Sequence, residues 1–423
     1  MYDSMFQTRI FEHMKILWNH FARMVIFVII LLFAACVDSP LLIFETTGAK
    51  RPRPLAIVTF ETSLEVGNYT ARNQMGISVP LQVDQDGKAM MLVMNVSPEV
   101  VLQWTVRSID EEVLTATSQQ VENRILFRVD DREVAAYHFS KGQMPHTDIP
   151  EIYHRDGYLH PVWTPGGQII TDDYPQDHVH HHGIWAAWTK TIFQGRNPDF
   201  WNMGQGTGRV EVRSLDSVWS GSVYAGIQSS HRYVDMVGEE EITALHESWH
   251  MNVYSNSTEF NILDLVLVQT AATDSALILS EHRYGGVGFR GHRDWNGKVS
   301  TEFFTSEGHT RESGHATRAR WCHIGGLIDG EYAGIAVLGH PDNHEAPQPM
   351  RIHPTEPFFN FAPSQVGSFT ITPDKPFVWK YRFVTYDGYL DRDLLDALWE
   401  DYANPLDVQI LHELPSLNLF LSI

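Results

Sequence analysis

Short apolar runs alternate with clusters of Gly, Pro, Asn and Asp along most of the chain. Runs that are rich in β-branched and aromatic residues and bounded by turn formers are typical of β-strands. The run at 260–270 is apolar at both alternating sets of positions, which indicates a strand buried on both faces. Asp264 interrupts one face, so we expect this carboxylate either to be hydrogen-bonded in the core or to face a cleft. The other predicted strands are 55–60, 90–96, 101–107, 210–214, 242–254, 333–338 and 377–386.

One segment, 391–402, carries a clear helical pattern. Its apolar side chains recur at helical spacing from Leu394 to Tyr402, and Pro405 lies just beyond its end. Many strands with almost no helix predict an all-β fold. We therefore expect a large antiparallel two-sheet sandwich, similar to a supersandwich, with a short C-terminal helix.

The beginning of the chain has the pattern of an export signal. Residues 24–35 are an apolar run, preceded by Lys15 and Arg23. The run is shorter than the roughly 20 residues that span a bilayer, and it matches the apolar core of a signal peptide over 1–35. Small residues just before Cys36 resemble a bacterial lipoprotein signal, which predicts that Cys36 is lipidated. The alternative is an ordinary signal peptide with an incidental cysteine.

The rest of the chain divides into four predicted parts. They are a tether at 36–54, an N-terminal β-sheet region at 55–142, a main β-sandwich region at 143–405 and a tail at 406–423. An acyl chain on Cys36 anchors a protein to a membrane without spanning it. We therefore expect an exported lipoprotein in the periplasm or at the outer membrane of a bacterium.

Composition narrows the classes of function. The chain has 31 Lys and Arg against 52 Asp and Glu, a net charge of -21. A surface this acidic repels phosphate backbones, which argues against a nucleic-acid partner. Two cysteines rule out a disulfide framework. The 22 His and 12 Trp favour a polar cleft that binds a metal or a sugar.

The most distinctive motif is the histidine cluster at 178–182, preceded by several acids. In an extended segment His178, His180 and His182 share one face and could bind one divalent metal. Asp173, Asp177 or His160 would complete such a site. Without a metal, histidines of this kind act as general acids or bases near neutral pH. The alternative is a hydrogen-bonded structural turn.

The segment at 246–250 matches H-E-x-x-H, which binds zinc when it lies on a helix. Its flanks have strand composition. On a strand His246 and His250 are about 13 Å apart, too far to share one zinc unaided. A metalloprotease is therefore not expected, but Glu247 remains a candidate for a carboxylate that faces the cleft.

Two further segments carry polar candidates. In 281–290, Glu281 and His282 are an acid–base pair, and Arg290 offers a planar fork for a carboxylate or vicinal hydroxyls. The alternative is a glycine-rich strand corner. After the strand at 333–338, His340 and Asn343 form a polar cluster at a strand end, where sites are common, although a turn also explains it.

Several of these segments together resemble one known family. They are HPVWTPGGQIITDDYPQDHVHHHGIWAAWTKT (160–191), GRNPDFWNMG (195–204), HRYGGVGFRG (282–291), ARWCHIGG (319–326), LGHPDNHEAPQPMRIHPTEPFFNFAPSQ (338–365) and FVWKYRFVTYDG (377–388).

The chain resembles the soluble bacterial family labelled "methane oxygenase PmoA-like" over roughly 50–405, and Val179 stands where that family usually has Pro. The membrane methane monooxygenase subunit consists of transmembrane helices, for which this chain has no segment after its signal. The resemblance instead implies a fold similar to the sandwich of aldose epimerases. In that analogy a histidine protonates the ring oxygen of a sugar while a carboxylate removes a hydroxyl proton.

These observations favour a carbohydrate-active enzyme, a hydrolase, lyase or epimerase. The alternatives are a metal-dependent oxygenase or hydrolase centred on His178, His180 and His182, and a non-catalytic glycan-binding lipoprotein. A divalent metal is the only candidate cofactor. Tryptophan faces are expected to stack on sugar rings. The candidate catalytic residues are His180 and His181 as the acid and Glu247, Glu281 and Asp173 as the base. The candidate substrate-binding residues are His160, Trp185, Trp188, Trp201, Arg290, His340 and Asn343.

Overall fold

A computed structural model describes Trp18 and residues 40–109, 114–256, 259–389 and 391–414. The predicted signal peptide (apart from Trp18) and the predicted lipidation site at Cys36 lie outside the described residues. No helix in the described ranges is both long enough and apolar enough to cross a membrane.

The described chain is predominantly β-strand, which confirms the predicted fold class. The first thirteen strands are β1 (Leu42–Thr47), β2 (Arg53–Glu61), β3 (Gly67–Asn73), β4 (Ser78–Val83), β5 (Lys88–Val96), β6 (Leu102–Ser108), β7 (Ala116–Val121), β8 (Arg124–Val129), β9 (Arg132–His138), β10 (Tyr158–Val162), β11 (Ile184–Ala187), β12 (Thr191–Ile192) and β13 (Gly208–Trp219).

The remaining strands are longer on average and are followed by the C-terminal helix. They are β14 (Tyr224–Asp235), β15 (Ile242–Tyr254), β16 (Phe260–Ala271), β17 (Leu277–Leu279), β18 (Gly286–Arg290), β19 (Glu302–Thr305), β20 (Trp321–Ile328), β21 (Glu331–Gly339), β22 (Met350–Ile352), β23 (Phe358–Phe361), β24 (Phe369–Ile371), β25 (Phe377–Asp387) and β26 (Asp407–Glu413). The α-helices are α1 (Arg311–Gly314) and α2 (Arg392–Ala403).

Three large antiparallel sheets organise these strands. The N-terminal sheet has the order β2-β5-β4-β3-β6-β1-β26, the site sheet β22-β23-β18-β11-β10-β9-β8-β7, and the back sheet β13-β14-β15-β16-β25-β21-β20-β19. Strands β12, β17 and β24 form a small fourth sheet. Within the expected tether and tail, β1 and β26 pair with each other, so both ends of the described chain join the N-terminal sheet.

The main core lies between the site sheet and the back sheet. Alternate residues of each strand point into this core, because successive side chains on a strand face opposite sides of the sheet. On the site sheet the inward row includes Tyr137, Leu159, Ile184 and Phe289, all buried. On the back sheet β15 contributes Leu245, Glu247, Trp249 and Met251, also buried. Packing these two faces gives the predicted sandwich.

The opposite face of the back sheet packs against the N-terminal sheet and helix α2. Leu55 and Ile57 from β2 meet Ile262 from β16 and Leu395 and Leu398 from α2 in a second core. Strand β16 is therefore covered on both faces around Ile262, whereas Val268 nearer its end is 36% exposed, so its double apolar pattern predicts the burial only in part. The helix also begins where its pattern predicts, with the Asp391 side chain accepting a hydrogen bond from the Asp393 N–H at its N-terminus.

Buried ion pairs connect these three layers. Asp264 accepts two hydrogen bonds from the Arg382 guanidinium, at 2.7 and 2.9 Å, which settles its role as a paired carboxylate in the core. Asp401 on α2 accepts from Arg53 of β2 at 3.2 Å and from Arg382 of β25 at 3.3 Å. It also accepts from the Ile57 N–H. One helix carboxylate therefore joins the N-terminal sheet to the back sheet.

We predict that Asp401→Ala lowers the free energy of unfolding by about 3–5 kcal/mol, because it leaves two buried guanidinium groups without this partner. Glu400→Gln, one residue away on the same helix, is the control and is expected to change stability by less than about 0.5 kcal/mol. Urea denaturation of the three proteins measures the difference. Equal midpoints for Asp401→Ala and Glu400→Gln would show that the carboxylate does not hold the layers together.

Candidate functional site

The outer face of the site sheet carries a row of residues unlike those of a hydrophobic core. Cross-strand pairing places His138, Tyr158, Trp185, Gly288 and Asn360 side by side on five neighbouring strands. Directly paired residues share a face of the sheet. This row is the floor of the candidate site.

Gly288 makes room in that floor for two indole rings. A Cβ atom at this position would lie 2.9 Å from the Trp201 ring and 3.1 Å from the Trp185 ring. Trp201 and Trp185 contact each other above the glycine, with centroids 5.0 Å apart. A glycine in a strand interior often marks such a close approach.

Residues 172–183 fold over the floor as a loop, and the predicted extended conformation of 178–182 is wrong. The His181 N–H donates to the His178 carbonyl at 2.7 Å, which closes a turn. The turn stacks His178 on His181, with ring centroids 4.7 Å apart. The His182 ring instead contacts Asp173. The set His178, His180 and His182 therefore does not form one face, because a turn does not have the alternation of a strand.

Arg290, at the end of β18, holds this loop in place. Its guanidinium is fully buried and donates to Asp177 at 3.1 Å, to Glu356 at 3.0 Å and to Asn296 at 2.9 Å. Its backbone N–H donates to the Gly183 carbonyl. Arg290 was predicted to position substrate, but its contacts in the fold are structural, because both terminal nitrogens of its guanidinium donate to protein carboxylates and an amide.

The turn and Arg290 together create a cluster of two imidazoles and one carboxylate. One ligand atom each of His178, His181 and Glu356 lies within 4.8 Å of the other two. His178 Nδ1 is 3.2 Å from Glu356 Oε2. The Nδ1 atom of His181 is buried and has no hydrogen-bond partner among the described residues. Two imidazoles and a carboxylate are a common ligand set for zinc and for non-haem iron.

Burial keeps the neighbouring imidazoles neutral. Desolvation, reinforced by the adjacent His178, lowers the pKa of His180 to about 4. Burial and the nearby His180 and Arg290 bring the pKa of His181 well below its usual value. At neutral pH these rings accept protons or bind metals, whereas the predicted role of His180 or His181 as the acid requires the charged form.

Asp177, in contrast to these neutral imidazoles, carries a charge at neutral pH. Burial alone would raise its pKa, but the charge and hydrogen bonds of Arg290 hold the pKa below its ordinary value. Asp177 is therefore an ionised carboxylate beside His178, with 3.6 Å between Asp177 Oδ2 and His178 Nδ1.

A second polar cluster lies on the other side of the loop, around Asp173. Its carboxylate contacts His182 Nδ1 at 2.6 Å and accepts from the Tyr158 hydroxyl at 3.0 Å. The Nε2 atom of His182 is buried without a hydrogen-bond partner in the described chain. Burial raises the pKa of Asp173, although the imidazoles of His160 and His138 oppose the shift.

A hollow of about 450 Å³ lies beside the loop and is lined by Asp173 of the second cluster and by Asp177, the neighbour of His178. Its walls carry carboxylates, amides, an imidazole, a phenol and a guanidinium. The lining residues are His146, Asp172, Asp173, Tyr174, Pro175, Gln176, Asp177, Arg293 and Asn296.

The predicted tryptophan platform is not found. Trp185, Trp188, Trp201 and Trp295 are at most 2% exposed and pack against other buried hydrophobic side chains. Trp185 and Trp201 contact His181, with centroids 5.0 and 6.3 Å away, so they support the turn from beneath. Buried rings of this kind cannot stack on a ligand.

Glu247 also lies in the core and does not face a cleft. The strand interpretation of H-E-x-x-H is confirmed, because 246–250 lies within β15. The Glu247 carboxylate is fully buried and accepts from the Trp249 indole at 2.6 Å and the Tyr233 hydroxyl at 3.0 Å. Gln269 joins this network and also accepts from the Trp188 indole. A buried and hydrogen-bonded polar network of this type favours one unique packing of the core, and its groups are not available to a substrate.

The remaining predicted residues are spread over the site sheet and its surroundings. His160 contacts the Thr171 hydroxyl at 3.0 Å. Glu281 and His282 line a separate cavity of about 270 Å³. His340 lines a smaller cavity beside Trp399. Asn343 is buried and exchanges hydrogen bonds with the Lys380 backbone, which is a structural role.

Sequence reasoning missed Glu356 and His353. Burial lowers the pKa of His353 to about 4, and its Nδ1 accepts from the Glu356 N–H at 3.1 Å. Both residues lie in the loop that follows β22. The signal in the sequence is the spacing R-x-H-x-x-E from 351 to 356, directly after an apolar residue at 350.

Buried neutral histidines make folding depend on pH. Burial lowers the pKa of His138 to about 4, although nearby Asp173 opposes this. Because the unfolded histidine titrates near 6.5, the unfolded chain binds more protons between pH 6.5 and 4, and stability falls as the pH falls through that window.

We predict that His138→Gln reduces this loss by up to about 3 kcal/mol. Urea denaturation at several pH values measures it, with the exposed His412→Gln as the comparison. The same pH dependence in both variants would refute the prediction.

Comparison with curated proteins finds no match for the chain. Among solved structures, the chain is similar to an alpha-mannosidase from Enterococcus faecalis V583 and to a protein in the glycosyl hydrolase family 38 from Enterococcus faecalis. Identity is 9% and the TM-score 0.43 in both cases. The matches cover 88% of this chain but 46% and 48% of those chains, so this chain spans about half their length. The family model of DUF6807, a family of unknown function, matches residues 124–400, and the chain therefore belongs to that family.

Proposed function

We propose that the protein is a carbohydrate-active enzyme whose reaction centre is the cluster of His178, His181 and Glu356. The observation that carries the proposal is the convergence of these three groups within 4.8 Å beside a polar hollow. Asp177 connects the two features, because it lines the hollow and lies 3.6 Å from His178.

The hollow suits a ligand with many hydroxyl groups. Its volume of about 450 Å³ is within the range of small-molecule sites. Carboxylates and amides such as Asp172, Asp177 and Asn296 offer acceptors and donors for hydroxyl pairs. Seven of its nine lining residues carry charged, amide or imidazole side chains, which favours a sugar over an apolar ligand.

The two clusters supply opposite halves of acid–base chemistry. The His180 and His181 imidazoles are neutral at pH 7, which is the form that a general base requires, and their lowered pKa makes them weak bases. Asp173 lines the hollow and has a raised pKa, which is the property of a carboxylic acid that donates a proton. This arrangement supports a hydrolase, a lyase or an epimerase, and it exchanges the acid and base roles expected from the sequence.

A second candidate function is a metal-dependent hydrolase or oxygenase at the same three residues. His178, His181 and Glu356 offer the two imidazoles and one carboxylate that such sites use. Arg290 donates to Glu356 Oε2, which also lies 3.2 Å from His178 Nδ1, so the guanidinium would hold this carboxylate in place beside a metal. A bound divalent ion would activate a water molecule or polarise a carbonyl oxygen.

The proposal also includes export of the protein and its attachment to a membrane through a lipid on Cys36. An acyl chain on Cys36 would hold the sandwich at a membrane surface, where exported glycans are accessible. The resemblance to the PmoA-like family belongs to the same proposal and stays a prediction.

We predict that His181→Ala and Asp173→Asn, which remove the proposed base and the proposed acid, each lower kcat on a turned-over glycan by about 10²–10⁴, the contribution of a positioned acid–base group. A glycan panel assayed with the wild-type protein identifies the substrate first. His412→Ala, far along the chain on β26, is the control and is expected to keep full activity. Unchanged kcat in both site variants would remove the cluster from the mechanism.

Elemental analysis of the purified protein separates the two candidate functions. The metal-dependent function predicts a stoichiometric divalent metal that His178→Ala loses and that a chelator removes together with activity. Turnover that survives chelation with no stoichiometric metal supports acid–base chemistry by side chains alone.

A further inference from the structure

A further cavity, of about 480 Å³, lies apart from the reaction centre and has an aromatic wall. Three segments form it: the turn after β10, the hairpin of β20 and β21, and the end of β25. We call it the tyrosine cavity, and its lining residues are Gly166, Gln168, Leu327, Gly330, Glu331, Tyr332, Asp387, Gly388 and Tyr389. It shares no lining residue with the polar hollow.

Tyr389 gives this cavity an exposed aromatic ring on a fixed support. The residue is 77% exposed, and its ring stacks on that of Tyr332, with centroids 3.9 Å apart and planes inclined by 27°. The Tyr332 hydroxyl donates to Glu302 at 2.9 Å and contacts His323 Nε2 at 3.1 Å. Because Tyr332 covers one face of the Tyr389 ring, the exposed surface of that ring includes its other face.

The hairpin of β20 and β21 adds a second apolar group beside the rings. Leu327 pairs with Tyr332 across the hairpin, so the two side chains share a face. Leu327 is 56% exposed. The connecting residues Asp329 and Gly330 both have positive φ, at 51° and 89°, as a tight two-residue hairpin requires. Leu327, Tyr332 and Tyr389 thus form the apolar wall of the tyrosine cavity.

The cavity also has an acceptor that the fold leaves free. The Gln168 side-chain amide donates to the Ile328 carbonyl at 3.4 Å, whereas its Oε1 atom is buried and has no hydrogen-bond partner among the described residues. Asp387 accepts from the Gly166 N–H at 2.6 Å and from the Thr164 hydroxyl, which fixes the turn that leads into Gln168. An amide oxygen of this kind accepts a hydrogen bond from a hydroxyl group.

The charge of the cavity limits what it can bind. None of its described lining residues is a lysine or an arginine, whereas Glu331 and Asp387 are carboxylates. The whole chain has a net charge of -21. An anionic ligand would be repelled, so a neutral one is favoured.

The tyrosine cavity is a neighbour of the polar hollow. Gln168 lines the cavity and Asp172 lines the hollow. Four residues of extended chain span at most about 14 Å. A glycan of several sugar rings is long enough to reach from one to the other.

We propose that the tyrosine cavity is a second glycan-binding site, where Tyr389 stacks on a neutral sugar ring and Gln168 accepts a hydrogen bond from a sugar hydroxyl. This inference rests on the proposed function and specifies its substrate as a neutral chain of several sugars. The C–H face of a sugar covers an aromatic ring that water otherwise contacts, while its hydroxyls keep polar partners. The Tyr389 ring supplies the exposed platform that the buried tryptophans do not.

Affinity electrophoresis tests the proposal without turnover. The gels contain hydroxyethyl cellulose, galactomannan or xyloglucan as neutral polymers, or polygalacturonate as the acidic one. We expect at least one neutral polymer, and not polygalacturonate, to retard the wild-type protein. Tyr389→Ala should raise the Kd for that polymer about tenfold, because it removes the apolar surface that stacks, and Tyr389→Phe should bind as wild type. Val218→Ala, which shortens an exposed apolar side chain on β13, is the control.

A thermal melt of the same variants shows whether Tyr389 is instead a structural residue. An exposed side chain is expected to leave the Tm unchanged when it is replaced. Leu327→Ser alters the same apolar wall from another segment and should also weaken binding. Normal binding by Leu327→Ser together with a lowered Tm in Tyr389→Ala would contradict the proposal.

The remaining outcomes also decide the question. Equal retardation of wild type and Tyr389→Ala, or no retardation by any polymer, would exclude the site, and equally strong retardation by polygalacturonate would exclude its preference for neutral glycans. The proposed function survives each of these results if His181→Ala and Asp173→Asn lose turnover. Retardation that depends on Tyr389, together with full turnover by those two variants, would do the reverse.

Discussion

The buried guanidinium of Arg290 is the interaction on which the candidate site depends. It binds Asp177 in the loop over the site sheet, Glu356 in the loop after β22, and Asn296 in a third loop. These segments are far apart in the chain, and Arg290 joins them together with the stacking of His181 on Phe358, whose ring centroids are 4.9 Å apart. A charge that is completely buried tolerates few alternative arrangements, since each displaced partner would leave it unpaired. Arg290 therefore fixes the geometry of the cluster without touching a substrate.

The two-sheet sandwich explains why the residues of the cluster can be held in precise positions. The site floor is a row of cross-strand pairs on one sheet, and the back sheet supports that sheet from the other side. Groups placed on strands are held more rigidly than groups on free loops. The loop at 172–183 gains similar rigidity, since Arg290 binds it through Gly183, Asp177 and Asp172.

The fold was predicted well because most strands appear in the sequence as apolar runs bounded by turn-forming residues. The run at 260–270 lies in one strand that is buried on both faces over its first four residues, 242–254 forms one strand, and the helix begins after Asp391. The site was predicted less well, because its members are brought together by long-range contacts. Residues 178–182 look like a strand by composition, but their turn is set by hydrogen bonds and by rings packed beneath them. Glu356 has no local pattern that connects it to His178, and Arg290 joins them only in the folded chain.

Aromatic residues show why composition misled the search for a binding surface. A high content of tryptophan fits both a sugar platform and a large core, and only burial separates the two. In this chain Trp185 and Trp201 fill the space above Gly288 and support His181. The carboxylates show the same point, since Glu247 accepts from Tyr233 and Trp249 and Asp264 accepts from Arg382 inside the fold. A polar side chain in the core is satisfied by the fold itself, so residue type alone separates neither rings nor carboxylates that face a ligand from those that stabilise the sandwich.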